Sequence, residues 1–222
     1  MFELPTTEIR AVDIPDAWFQ AVSKILKEGF KYEIQQGSFV GQTRLEFHHI
    51  RIVINSPYRE PYDLMLPDVP PGLGIPNPVE RGYVEQYIPF LMTDHIEPGE
   101  QYTYGSRIYP QITKFIDLLK KTPNTNQAIL QIGSPDDYKL EDPPCLRHID
   151  MRIFDGKLIF YPDYRSWDLW AGFPANLAGI AVLQKDMADQ IGVDPGPICA
   201  VSKGLHIYGY AEEMAKIRCY VD

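Results

Sequence analysis

Cysteine is scarce in this chain, with only Cys145, Cys199 and Cys219 among 222 residues. Three scattered thiols cannot build a disulfide framework or a four-ligand zinc site, and they suit a reducing compartment. Long apolar runs are lacking as well. No stretch of about 18 apolar residues exists, which excludes a membrane-spanning helix. The opening Met1-Phe2-Glu3-Leu4-Pro5 has neither the basic flank nor the apolar core of a secretory leader. Positive charge is in deficit, with 21 Lys and Arg against 30 Asp and Glu and a formal charge of -9. Such a chain is a poor binder of nucleic acid polymers, which require clustered cations, whereas a small anion needs only a local pocket. A cytoplasmic protein with no membrane contact is expected.

What is present is ordinary folding material. Hydrophobic residues make up 45% and charged residues 23%, enough at this length for one sizeable core. No repeat, low-complexity tract or linker divides the chain. The expected architecture is therefore a single α+β domain over residues 1–222, a mixed sheet packed with helices.

Residues 15–30 read as a helix, with Asp13 as cap, Pro15 at the start and Trp18, Val22, Ile25, Leu26 and Phe30 as an apolar stripe. Residues 44–54 read as one β-strand, in which His48 and His49 point to opposite faces and cannot share a metal. Seven prolines across 55–78 exclude a helix there. Helices are expected at 79–93, about 110–121 and 175–191, the last stopped by Gly192 and Pro195. Strands are expected at 127–132, 197–202, 205–210 and 215–221.

Chemistry concentrates between Pro143 and Asn176. The stretch holds a thiol (Cys145), a cation twenty residues on across the Asp155-Gly156 turn (Arg165), a hydroxyl (Ser166), a carboxylate (Asp168) and an amide (Asn176). Each has a plainer alternative. Cys145 would serve equally as a small buried hydrophobe, Arg165 as a surface ion pair, Asp168 as a solvated carboxylate and Asn176 as the cap of the 175–191 helix. His206 and Tyr208 alternate on one strand face and would serve as packing.

The order of these residues resembles the thymidylate synthase family, particularly its short archaeal-type members, over about Tyr102 to Arg218. The resemblance is carried by Tyr104-Gly105, Gln111 to Lys120 with Pro123-Asn124-Thr125, Pro144-Cys145, Asp155-Gly156-Lys157-Leu158, Arg165-Ser166, Asp168, Gly172, Pro174, Asn176 and His206-Ile207-Tyr208. It implies a thymidylate-synthase-like fold and a methyltransferase that adds a one-carbon unit to C5 of a uracil nucleotide, dUMP to dTMP. It also implies a Cys145 nucleophile at C6, which converts a barely nucleophilic C5 into an enolate carbon. Arg165 and Ser166 would bind phosphate, Asn176 the base, His206 and Tyr208 the sugar 3′-hydroxyl, and Asp168 the methylene-tetrahydrofolate or related reduced pterin. Asn176 points to uracil, since members acting on cytosine carry an acid there. Glu85 or Gln86 would stand at the proton-relay position, and Tyr104 would line the pocket. The family's sheets pack back to back, so a homodimer is implied, with pyrimidine nucleotide and reduced pterin as ligands and no metal.

The chain departs from the family's pattern at several positions. Asn126 and Gln127 stand where two phosphate-binding arginines are lent by the partner subunit. No arginine occurs in Gly37–Gly41, Leu146 replaces a histidine, Tyr164 replaces a glutamine, and the chain stops at Asp222 without the long members' tail. A pyrimidine 5-hydroxymethylase and a catalytically degenerate nucleotide-binding homologue are the alternative readings.

Overall fold

The computed structural model describes residues 3–37 and 39–221. Met1 and Phe2 of the leader reading, Ser38 of the Gly37–Gly41 segment and Asp222 at the chain's end lie outside the described residues. Among the described residues ten strands form two sheets. In chain order they are β1 (Thr7–Ala11), β2 (Phe30–Glu33), β3 (Thr43–Phe47), β4 (Ile50–Ile54), β5 (Ile129–Gln131), β6 (Leu146–Phe154), β7 (Lys157–Tyr164), β8 (Trp167–Asp168), β9 (Asp194–Ser202) and β10 (Leu205–Tyr208). The larger sheet runs β1-β4-β9-β7-β6-β5 and the smaller β2-β3-β10-β8. Parallel pairs (β1/β4, β7/β9, β8/β10) occur beside antiparallel ones, so both sheets are mixed.

Five α-helices accompany them among the described residues, α1 (Ile14–Glu28), α2 (Tyr83–Met92), α3 (Tyr104–Lys121), α4 (Gly172–Ile191) and α5 (Gly209–Cys219), with short 3-10 turns at Tyr62–Met65, Pro71–Leu73 and Pro135–Lys139, the first two within the proline-rich stretch. Asp13 caps α1 by accepting from the Asp16 amide at 2.9 Å, and the buried stripe includes Trp18, Val22 and Ile25. α4 is buried nearly all round, from Phe173 through Ala188, as a helix must be when sheet and helices enclose it. Gly192, at φ 91°, ends it in the left-handed conformation that glycine adopts without steric cost. β6, β7 and β9 alternate buried and half-exposed residues, so one sheet face meets α4 while the other, with Ile159, Tyr161, Cys199 and Val201, stays open.

Several expected elements differ, among them the strand expected at 205–210, which ends at Tyr208 where α5 begins. Residues 44–54 are two strands, since the chain bends at His48-His49 and passes from the smaller sheet to the larger. Phe30 leaves the α1 stripe for β2 and is exposed. α3 begins at Tyr104, six residues before the expected start, because a reciprocal Thr103/Ser106 capping box closes its end and Pro110 is carried inside it. Residues 215–221 are not a strand. Residues 215–219 complete α5, whose Ala211 and Ala215 are buried one turn apart against the core, and Tyr220 and Val221 follow it. A short helix with a weak apolar face carries little periodic signal.

Candidate active site

The β6–β7 hairpin sets the site's first pair. Asp155 (φ 50°) and Gly156 (φ 69°) make a two-residue turn with both φ positive, the geometry that suits the right-handed twist of paired strands. From that turn the ladder runs to Leu146 opposite Tyr164, with one bulge before His148. One step further the Arg165 amide donates to the Cys145 carbonyl at 2.9 Å. The twenty-residue spacing thus makes Cys145 and Arg165 cross-strand neighbours.

Arg165 is tied to the loop that carries the thiol. Its Nε donates to the Pro144 carbonyl at 3.2 Å, and its Nη2 donates to the Pro143 carbonyl and, at 3.2 Å, to Asp142 Oδ1. Arg147 donates to the same Pro144 carbonyl at 3.2 Å and to Asp137 at 3.0 Å, while Arg107 approaches Asp137 from α3 at 2.7 Å. Asp137 is buried, and its carboxyl is held below the usual range by a backbone N–H and the two guanidiniums despite its burial. This network fastens the Pro143-Pro144 turn on which Cys145 rides. Burial raises the Cys145 thiol above its ordinary value; Arg165 and Arg147 oppose the rise and Asp142 adds to it.

Aromatic side chains surround the thiol. Its charge reaches Tyr102, Tyr104, Tyr164 and Tyr208, whose phenols are raised first by burial, that of Tyr102 to about 12. Tyr104 accepts from the Leu146 amide at 3.4 Å. It reaches that place because Gly105 lets α3 close on α2, where an added Cβ would stand 2.2 Å from the Thr93 carbonyl. Tyr164 stacks on Trp167 with centroids 3.7 Å apart, and its buried hydroxyl has no hydrogen-bond partner among the described residues.

Asn176 lies in the second turn of α4 and does not cap it. The start of α4 is held by Asp168, which accepts from the Trp170, Ala171 and Gly172 amides at 3.0–3.2 Å. Three of about four acceptor positions on that carboxylate are occupied, leaving one on Oδ1. Asn176 instead accepts from Trp167 Nε1 at 3.0 Å and donates to Tyr87 Oη at 2.8 Å. It borders a cavity of about 340 Å³ lined by Tyr83, Tyr87, Phe90, Tyr102 and Tyr104. A wider cavity of about 740 Å³ continues past Tyr102 to Glu100, Glu141, Asp142 and Gly37.

His206 and Tyr208 share one face of β10, their rings 4.5 Å apart. The His206 Nδ1 lies 2.9 Å from the Gly204 carbonyl and so carries the proton; its buried Nε2 has no partner among the described residues. Burial lowers the His206 pKa, leaving a neutral ring. Ser166 is half-buried beside Arg165, whereas Glu85, Asn126 and Gln127 are exposed. Gln86 borders a neighbouring cavity of about 200 Å³ with Phe90 and His95. No group of three or more potential metal ligands occurs among the described residues, and no described helix is long and apolar enough to cross a membrane.

Sequence reasoning missed Tyr83, Phe90, Tyr102, Glu100 and Trp167. The aromatics at 83, 87 and 90 recur at the three- and four-residue spacing of one helix face, a signal that was available. Glu100 and Trp167 carry no such pattern.

The family model described as Thymidylate synthase matches residues 84–219. A protein of Methanosarcina barkeri named "Putative thymidylate synthase" is 31% identical, the match covering 94% of this chain and 92% of that protein. A like-named protein of Methanopyrus kandleri is 27% identical over 90% of this chain and 92% of its own length. The thymidylate synthase of Listeria monocytogenes is 30% identical over 107 residues, 48% of this chain and 34% of that enzyme.

Proposed function

The chain belongs to the thymidylate synthase family, and from that premise we propose that it methylates C5 of a uracil nucleotide, dUMP to dTMP, through a thioether between Cys145 and C6. The observation that carries this reading is the cross-strand pair. Arg165 is bonded to the Pro143 and Pro144 carbonyls directly before the thiol and to Asp142, which lines the wider cavity; that cavity shares Glu100 and Tyr102 with the one that Asn176 borders.

The Cys145 thiolate adds to C6, and the electron pair of the C5–C6 bond moves through C4 onto O4. Asn176 Nδ2 donates to O4 as charge develops there, while its Oδ1 accepts N3–H. C5, now an enolate carbon, forms the new carbon–carbon bond and loses its proton. Expulsion of the Cys145 thiolate restores the ring double bond and the free enzyme. Burial disfavours the thiolate on balance, and Arg165 and Arg147 offset part of that cost by stabilising the anion. A reduced folate or related pterin supplies the one-carbon unit and the reducing equivalent. The aromatic cavity suits such a flat heterocycle, since Tyr83 and Tyr87 stack nearly parallel (15°) beside Phe90. Asp168 retains one acceptor position for a ring N–H. Ser166 and Arg165 serve the anionic end, and His206 Nε2 and Tyr208 the sugar hydroxyl. The open, partly apolar face of the larger sheet suits a homodimer, which light scattering at micromolar concentration would detect; a monomer there would count against it.

Intact-mass measurement with 5-fluoro-dUMP and methylene-tetrahydrofolate tests the reading. A covalent adduct that disappears in Cys145→Ala is expected, and no adduct on the unsubstituted protein would overturn it. The product mass after turnover of dUMP separates methylation from hydroxymethylation.

A further inference from the structure

Asn176 is not held by the residues that would bind substrate. It is held from behind by Trp167, and the chemistry of that contact is one-sided. We propose that Trp167 is a positioning residue that fixes the Asn176 amide in the orientation that reads uracil and rejects cytosine. This rests on the pyrimidine reading of the site.

An indole N–H only donates. With Trp167 Nε1 3.0 Å away, Asn176 must present Oδ1 to it, because a flipped amide would set N–H against N–H. Tyr87 Oη, at 2.8 Å from Nδ2, has no such authority, since a hydroxyl accepts or donates and would serve either orientation. Trp167 itself has no freedom to swing. It is 2% exposed, stacked on Tyr164 at 3.7 Å and 4°, flanked by Phe173 at 4.7 Å, and paired through β8 to β10. Tyr87 is seated by Gly179, three residues beyond Asn176 on α4, where an added Cβ would stand 2.7 Å from its ring.

Both inner bonds made, the amide keeps one lone pair on Oδ1 and one N–H on Nδ2 for the cavity that it borders. Uracil matches that edge, with N3–H donating and O4 accepting. Cytosine in the same pose sets its N3 lone pair against Oδ1 and its N4 amino group against Nδ2. Flipping the amide to relieve both clashes breaks the Trp167 bond. Specificity therefore originates in a side chain that stands behind the amide.

The test is calorimetric binding of 2′-deoxyuridine and 2′-deoxycytidine, each as nucleoside and 5′-monophosphate, to the unsubstituted chain, Trp167→Phe and Tyr87→Phe. Phenylalanine keeps an aromatic ring against Tyr164 and removes the indole donor, and the volume it also loses would affect both bases alike. The unsubstituted chain should prefer uracil by about 100-fold or more, as sites built on buried hydrogen bonds do. Trp167→Phe should lower that preference about tenfold, the scale of one hydrogen bond, chiefly by gaining affinity for cytosine. Tyr87→Phe should leave the preference within about threefold while weakening both bases, since the loss is common to them. Equal weakening of both bases in Trp167→Phe, or an equal loss of preference in Tyr87→Phe, would overturn the role of Trp167 alone. No binding of any of the four ligands to the unsubstituted chain would remove the pyrimidine reading and this inference with it. Should Trp167→Phe fail to fold, the 15N-labelled indole of the unsubstituted chain decides. Its N–H is expected to be protected from solvent exchange and to shift on addition of dUMP, and rapid exchange would overturn the assignment.

Discussion

Around Asn176 the cleft is small and aromatic, whereas around Asp142, the partner of Arg165, it is large and acidic. At the first end five aromatic residues line about 340 Å³, with Glu100 shared between the two ends, and both polar groups of the amide are already bonded to neighbours. At the second, about 740 Å³ opens between Glu100, Glu141 and Asp142, and Arg165 donates to its own loop and to Asp142. The base end is organised before any ligand arrives. The anion end is not, because a phosphate there must displace a carboxylate from the guanidinium and meet two further negative charges. Exposed Asn126 and Gln127 add no cation to be lent. The difference locates affinity in the base and leaves the phosphate as the weaker anchor.

The largest effect separates chemistry from both ends. Cys145→Ser should lower turnover about a thousandfold or more, the scale of losing a nucleophile, while the dissociation constant for dUMP stays within about threefold. Retained turnover would remove the thiol from the mechanism. A collapse of binding would show that the two ends are not independent of the residue between them.

Next comes the anion end itself. Asp142→Asn removes the exposed carboxylate that occupies Arg165, so affinity for a 5′-monophosphate should rise about two- to fivefold relative to the nucleoside, the scale of an exposed ion pair. The gain should shrink at high salt. An unchanged ratio would break the comparison. The same pair sets thiol reactivity. The rate of Cys145 alkylation should climb with pH through a midpoint above the ordinary thiol value of 9.0, because burial outweighs the two arginines. Asp142→Asn should move that midpoint down and Arg165→Met up. Stopped-flow alkylation on a chain with Cys199 and Cys219 replaced by Ser reads both directions.

What could be read in the sequence follows the same division. The Cys145–Arg165 pair was legible because hairpin register is arithmetic, and an Asp-Gly turn fixes which residues face each other. α1 was legible from its cap and stripe. The Trp167–Asn176–Tyr87 chain was not, since residues 87 and 176 meet only through the packing of α2 on α4 and no local pattern records it. The role of Asp168 was hidden for a related reason. A carboxylate four residues ahead of a helix looks solvated until the backbone curls three amides onto it. Local periodicity also failed at α5, where two alanines suffice for burial.

The smallest effect concerns a buried group on β10. His206 is 3% exposed, bonded through Nδ1 to the Gly204 carbonyl, and faced by Asp168 and Glu46, which favour its charging, and by Arg44, which opposes it. Burial dominates, so its pKa lies below the ordinary 6.5. Between the folded value and 6.5 the unfolded chain therefore binds more protons than the folded one. Its contribution to stability is complete above pH 6.5 and is lost as pH falls towards the folded value. One proton limits the slope to about 1.4 kcal/mol per pH unit. Urea midpoints at pH 7.5 and 5.0 should fall further for the unsubstituted chain than for His206→Asn, which has nothing to titrate. Equal falls would mean that His206 charges freely in the folded state. Water would then reach its Nε2, and the sugar role proposed for that nitrogen would lose its neutral acceptor.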